Sequence, residues 1–276
     1  MPLEELGNPS IADALGRQIG KGRTAEVYRF GEGAVVKLFH PDIAPDLIAR
    51  EATAGRHVFE QGLPAPEILD HVVIDDRSGI VYRYVAGDSM LNRLQRQPWR
   101  MLNYARQLAE THVRIHQAVA PEIAVQTTLF AKNIAAAPKL NQSARQRLNQ
   151  DLQDLDGNER RLCHGDFHPD NVLMTETGPV VIDWMAASAG DPAADVARTL
   201  LLLQVGTPIG NLSLRDRVII TTGRRLFAKL YLDRYCRSAG MAKSRVRRWG
   251  PIVAAARLNE EVGEEAEVLL RRAGAV

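Results

Sequence analysis

Two aspartates and an asparagine stand at a spacing that invites metal chemistry. In "HGDFHPDNVLMTETGPVVIDWMAAS" (164–188), Asp166 and Asn171 precede a short apolar run at 172–174, and Asp183 follows a second run at 180–182. Between the runs, Thr175–Pro179 contains the turn residues Gly178 and Pro179, so the segment reads as a hairpin. A hairpin returns its two ends to one place. Two acids and an amide would therefore converge, and oxygen ligands of this kind suit magnesium.

Further candidates lie upstream. Gly20 and Gly22 in "IGKGRTAEVYRF" read as a turn between two strands, where glycine lets backbone amides approach a phosphate closely. The alternating "AEVYRF" continues as a strand and not a helix, so a dinucleotide-binding fingerprint fits poorly. Lys37 sits inside the apolar "AVVKLF", and Glu51 borders the apolar stripe Leu47, Ile48 and Val58 of the next helix. An acid on an inward face needs a partner, and Lys37 is the obvious one. A glycine turn, a strand lysine, a helix glutamate, Asp-x4-Asn and a later Asp follow one another in the order of the phosphoryl-transfer machinery of kinases.

The elements that must position these groups fall into two parts. Strands are expected at 15–20, 25–30 and 34–39, then a helix at about 45–61 that ends at Gly62 with Pro64 beyond. A hairpin at 71–75 and 79–85 turns around "DRSG". From residue 98 the pattern becomes helical: Met101, Ala105, Leu108, His112, Ile115 and Val119 mark one face with period 3.6. Apart from the 172–182 hairpin, helices are expected through residue 272. The reading is an α+β, bilobal fold: a small β-rich lobe over 1–86, a larger helical lobe over 87–276, and "VAGDS" (85–89) joining them, with a hinge at about 82–87. Ligand sites favour such clefts.

Bulk properties exclude several classes. The 276 residues are 45% hydrophobic and 25% charged with a net charge of +2, so no global field draws the chain to nucleic acid or membrane. No basic-then-apolar leader opens the sequence, and no apolar run approaches the roughly 20 residues that span a bilayer. Cys163 and Cys236 alone make a disulfide framework improbable, and Cys163 reads as a buried strand residue. A cytoplasmic protein is expected. "HVRIH" has Val113 where a zinc-protease helix needs glutamate, so His112 and His116 read as core residues. The basic stretch 234–248 reads as a solvated helix face, since no aromatic residues interleave it on a strand platform. The acidic stretch 259–267 reads first as an exposed helix face.

On these motifs the chain resembles the aminoglycoside phosphotransferase and choline-kinase-like branch of the protein-kinase-like fold. "HGDFHPDNVL" is similar to that family's catalytic loop, "VVIDW" to its metal-binding turn, and "GDPAADVART" (190–199) to the start of the following helix. The resemblance covers about residues 15–270, with Ala25 standing where a third glycine would be. It implies transfer of the γ-phosphate of ATP, with Mg2+, to a hydroxyl of a small molecule. Asp166 would accept or orient the hydroxyl proton, and Asn171 and Asp183 would hold magnesium. Lys37, oriented by Glu51, would touch the α and β phosphates. Gly20, Gly22 and Val27 would cover the nucleotide, and the backbone of Tyr82–Val85, with Tyr84 and Val85 foremost, would meet adenine. The last helices shape the acceptor pocket in this family, so acids of the 259–267 stretch would attract a cationic acceptor. His164 would brace the loop, and Asp195 would hydrogen-bond its backbone.

Two alternatives stand beside this. A protein Ser/Thr kinase would show arginine where Gly165 stands, and only seven residues separate Asp183 from Asp191, too few for an activation segment. "APE" occurs at 65–67 and 120–122, both before the loop. A nucleotide-binding pseudokinase would have lost Lys37, Asp166, Asn171 or Asp183, and none is lost.

Overall fold

A computed structural model of the protein describes residues 15–205, 213–260 and 263–275. The N-terminal part is a five-stranded antiparallel sheet of β1 (Leu15–Lys21), β2 (Ala25–Phe30), β3 (Ala34–Phe39), β4 (Ile68–Ile74) and β5 (Arg77–Arg83), in the order β1-β2-β3-β5-β4. Helix α1 (Pro45–Glu60) crosses between β3 and β4, with proline at its first turn, where no backbone donor is needed. Ala25, Phe39, Ala52, Ile80 and Tyr82 form the small core between sheet and helix.

The β4–β5 turn is not at "DRSG". Asp75 and Asp76 make it, with φ of 49° and 61°, and Ile74 pairs with Arg77. Aspartate's short polar side chain tolerates this left-handed geometry. Gly79 instead lies inside β5, where an added Cβ would come within 2.9 Å of Val36 and 3.1 Å of Val72. That glycine answers close packing and not a turn. Strand β4 also starts at Ile68, earlier than the expected residue 71.

The C-terminal part is mainly helical: α2 (Met90–Arg96), α3 (Met101–Gln117), α4 (Gln126–Ala136), α5 (Gln142–Leu155), α6 (Pro192–Val205), α7 (Leu214–Ala239), α8 (Lys243–Arg257) and α9 (Ala266–Arg272). Helix α3 packs on α7, and α6 on α8. Ala105, Leu108, His112 and Ile115 of the predicted α3 face are buried. Val119 is 63% exposed, because the helix ends at Gln117.

The expected run of helices is broken by short strands. β6 (Asp88–Ser89) pairs with β8 (Val172–Met174), which pairs in turn with β9 (Pro179–Val181) in the register Val172↔Val181. β7 (Arg161–Cys163) pairs with β10 (Ser188–Gly190), Cys163 facing Ser188. Strands of two or three residues are too short to display alternation, so periodicity cannot reveal them. They matter because they pin both ends of the 164–188 segment. Among the described residues, no helix is long and apolar enough to cross a membrane.

Candidate active site

Lys37 is fixed by register: on β3 it pairs with Val27 on one side and Ile80 on the other. Its Nζ lies 2.8 Å from both oxygens of Glu51 and 2.8 Å from Asp183 Oδ1. Glu51 is buried at 1% exposure, and the Tyr82 hydroxyl donates to its Oε1 at 2.8 Å. Burial alone would lower the Lys37 pKa, but the Glu51 and Asp183 carboxylates outweigh it and hold the ammonium above its ordinary value. The lysine is therefore a permanent cation tying the sheet, α1 and the segment after β9 together.

The loop between β7 and β8 is built around Asp195 of α6. The His164 N–H donates to its Oδ2 at 2.6 Å, and the Gly165 N–H to its Oδ1 at 2.9 Å. His164 Nε2 lies 3.1 Å from the Ile182 carbonyl, while its Nδ1 accepts from the Asp166 N–H at 3.2 Å. Those two partners require hydrogen on Nε2 only, so the ring is neutral, in keeping with burial lowering its pKa. Gly165 has φ of 78°, and a Cβ there would sit 2.3 Å from the Ala186 carbonyl oxygen. Only glycine fits this crossing.

Asp166 and Asn171 are locked together. The Asn171 amide donates to the Asp166 carbonyl at 2.9 Å and to its Oδ2 at 3.3 Å. Among the described residues this leaves the Asn171 Oδ1 as an available oxygen. Burial would raise the Asp166 pKa; His168, 3.5 Å from Oδ2, and the charge of Arg198 more than reverse it and keep the carboxyl below its usual range. Asp166 is thus an anion at neutral pH, the form able to take a proton. Asp183 adopts φ of 67° before a turn of 3-10 helix, with its side chain 36% exposed. Lys37 engages Oδ1, and among the described residues no hydrogen bond or ion pair reaches Oδ2. Asn171 and Asp183 line the same cleft, and an amide oxygen with a carboxylate oxygen is a hard donor set that fits a magnesium ion sharing phosphate and water ligands.

Gly20, Gly22, Val27, Lys37, Glu51, Tyr84, Val85, Asp166, Asn171, Asp183 and Asp195 all line one cleft of about 1180 Å³ between the sheet and the helices. His164 lies beneath it, fully buried. The Gly22 N–H bonds the Ala25 carbonyl at 2.8 Å, closing the β1–β2 turn. The Tyr84 N–H is taken by the Gly33 carbonyl at 2.8 Å, so within this pair Val85 is the backbone donor left over among the described residues. Arg29 stacks on the Tyr84 ring at 3.3 Å.

Several participants escaped the sequence reading. The Tyr82 side chain supports Glu51, a role beyond the backbone contact expected of it. Arg198 donates from Nε to the Gly165 carbonyl at 3.2 Å and pairs with Glu260 at 2.6 Å. Its position one helical turn after Asp195 was the available signal. Glu260 also meets Arg257, which meets Glu265, so these two acids of the 259–267 stretch are answered by arginines. In the basic stretch, Arg234 pairs with Glu110, Lys243 with Asp233, and Arg245 with Glu159 and Asp191. Cys163 is fully buried and its thiol is pushed well up by burial, unlike a nucleophile.

A two-part fold with a lysine–glutamate pair and an Asp-x4-Asn…Asp set in the intervening cleft is that of the kinase-like phosphotransferases. Residues 16–246 match the model of the phosphotransferase enzyme family, APH, and the chain belongs to that family. Among solved structures it is similar to a choline/ethanolamine kinase family protein from Mesorhizobium loti, with 18% identity, TM-score 0.64, 98% of this chain and 90% of that one covered. It is also similar to a thermostable mutant of aminoglycoside phosphotransferase APH(4)-Ia in its apo form, with 20% identity, TM-score 0.61 and 94% and 92% covered. A variant of that enzyme in ternary complex with ADP and hygromycin B aligns at 18% identity, TM-score 0.63, with 94% and 92% covered. No curated protein sequence matches the chain.

Proposed function

We propose that the protein is an ATP- and magnesium-dependent kinase that moves the γ-phosphate in line to a hydroxyl of a small molecule. The observation that carries this reading is the convergence of Lys37, Asp166, Asn171 and Asp183 on one cleft. In the proposed arrangement, Asn171 and Asp183 hold magnesium, Lys37 meets the α and β phosphates, and Asp166 takes the acceptor's proton. The cleft divides a nucleotide lobe over 1–86 from an acceptor lobe over 87–276, and the backbone near Tyr84 and Val85 meets adenine. Phosphoryl transfer needs positioned charge more than covalent chemistry, and these groups supply it.

A small acceptor is favoured over a protein by the short Asp183–Asp191 connection, which forms a turn of 3-10 helix and β10 and leaves no activation segment. The two buried free thiols suit a reducing, cytoplasmic setting. The test is ADP release from Mg-ATP across aminoglycosides, choline, homoserine, pentoses and a generic protein substrate, with Asp166→Ala as blank. A small-molecule hit that vanishes in the blank supports the proposal. Transfer only to the protein substrate, or nucleotide binding with no transfer to any acceptor, contradicts it.

A further inference from the structure

Asp195 is the anchor of the loop, yet among the described residues no lysine or arginine pairs with this buried carboxylate. At 1% exposure it would be costly unless enough donors surround it. Two come from the loop amides of His164 and Gly165. The other two come from α3: His112 Nε2 lies 3.1 Å and His116 Nε2 3.2 Å from the same Oδ2. A carboxylate only accepts, so each Nε2 carries hydrogen. The opposite nitrogens each meet a hydroxyl of α7: Tyr231 lies 2.6 Å from His112 Nδ1, and Tyr235 lies 2.7 Å from His116 Nδ1. The two pairs repeat at i, i+4 on both helices.

We propose that His112 and His116 are positioning residues for the phosphotransfer reaction, acting through Asp195, with Tyr231 and Tyr235 holding their rings in place. The proposal rests on the kinase reading above. Four N–H donors share the Asp195 charge, so the carboxylate stays aimed at the loop amides. His112 has a second hold on the loop: its ring stacks on Phe167 with centroids 4.0 Å apart and planes at 24°. The α3–α7 packing is thereby coupled to the backbone on either side of Asp166.

The same three side chains place ligand-type atoms within 4.8 Å of one another, a spacing that also suits a divalent metal. The hydrogen bonds argue otherwise. Both Nε2 atoms are protonated, both Nδ1 atoms are occupied, and Asp195 Oδ2 already accepts three N–H groups. A metal would have to displace most of these contacts in a fully buried site.

Glutamine's Nε2 can stand in for histidine's Nε2, whereas leucine fills the space without a donor. The test therefore compares His116→Leu with His116→Gln, reading steady-state kinetics and hydrogen exchange of the His164 and Gly165 amides. In His116→Leu, kcat should fall by about 30-fold with the KM for ATP within about twofold, and loop exchange should quicken by about tenfold or more. In His116→Gln, both quantities should stay within about threefold of wild type. Equal behaviour of the two variants, unchanged loop exchange in His116→Leu, or stoichiometric zinc in the purified protein would overturn the proposal. If His116→Leu does not fold, Tyr235→Phe replaces it, with quicker loop exchange supporting the proposal and unchanged exchange refuting it. The exchange readout needs no turnover, so it decides this proposal even if wild type transfers phosphate to no acceptor.

Discussion

Asp183 and Asp195 are both anchored carboxylates, held by opposite physics. Asp183 is partly exposed, bears a left-handed backbone, and meets the full charge of Lys37 through one oxygen. Asp195 is buried at the base of the same cleft and meets N–H donors from two amides and two imidazoles. An ion pair at a cleft can exchange partners when other charges arrive. A buried carboxylate saturated by four N–H donors has nothing to exchange. On the proposed reading, an exchangeable ion pair is placed where ligands must be accommodated, and a closed set of N–H donors where the loop must not move.

The largest expected effect tests the charged side. Lys37→Ala leaves Glu51 buried without its cation, and losing one partner of such a pair is strongly destabilising. We expect a lowered melting temperature and a fall of about 100-fold or more in kcat/KM for ATP, with acceptor affinity retained. Loss of acceptor binding alone would break the contrast.

A middle-sized effect tests the Asp195 side through pH. Burial first, then His116, lowers the His112 pKa to about 3. Below its ordinary value near 6.5 the unfolded chain takes up a proton that the folded chain refuses, so stability falls as pH drops from there toward 3. Such a residue contributes a slope of up to about 1.4 kcal/mol per pH unit. Burial lowers the His164 pKa as well, so it contributes in the same sense. The depressed Asp166 and Asp195 carboxyls contribute stability above the unfolded carboxyl pKa, and it is lost only as pH falls below that value. Denaturant titrations between pH 7 and 5 should show a shallower slope for His112→Gln than for wild type. Identical slopes would mean that His112 is charged in the fold.

The smallest effect sharpens the boundary between the two regions. Tyr82→Phe removes one donor from Glu51 while Lys37 keeps both oxygens, so the KM for ATP should rise about threefold with kcat nearly unchanged. A collapse of kcat in this variant would show that Tyr82 does more than support the pair.

Much of the cleft was legible because its residues sit at fixed places on strongly patterned elements. Lys37 inside an apolar strand and Glu51 at the border of an amphipathic stripe are unusual choices, and each points to the other. The 172–182 hairpin was legible from its apolar runs and turn residues. The Asp195 clamp was half legible: the burial of His112 and His116 follows from periodicity. Their convergence on Asp195 depends on how α3, α6 and α7 pack, which no local pattern encodes. The Asp75–Asp76 turn was misplaced because Gly79 is the stronger turn former on local grounds, yet packing against Val36 and Val72 claims it for a strand.

The most direct measurement is equilibrium binding of AMP-PNP, with and without magnesium, to wild type, Asp166→Ala and Asp183→Ala. Magnesium should strengthen binding to wild type and to Asp166→Ala alike, and Asp183→Ala should lose this dependence. Equal magnesium dependence in all three proteins, or its loss in Asp166→Ala as well, would contradict the assignment of Asp183 to the metal and Asp166 to the acceptor.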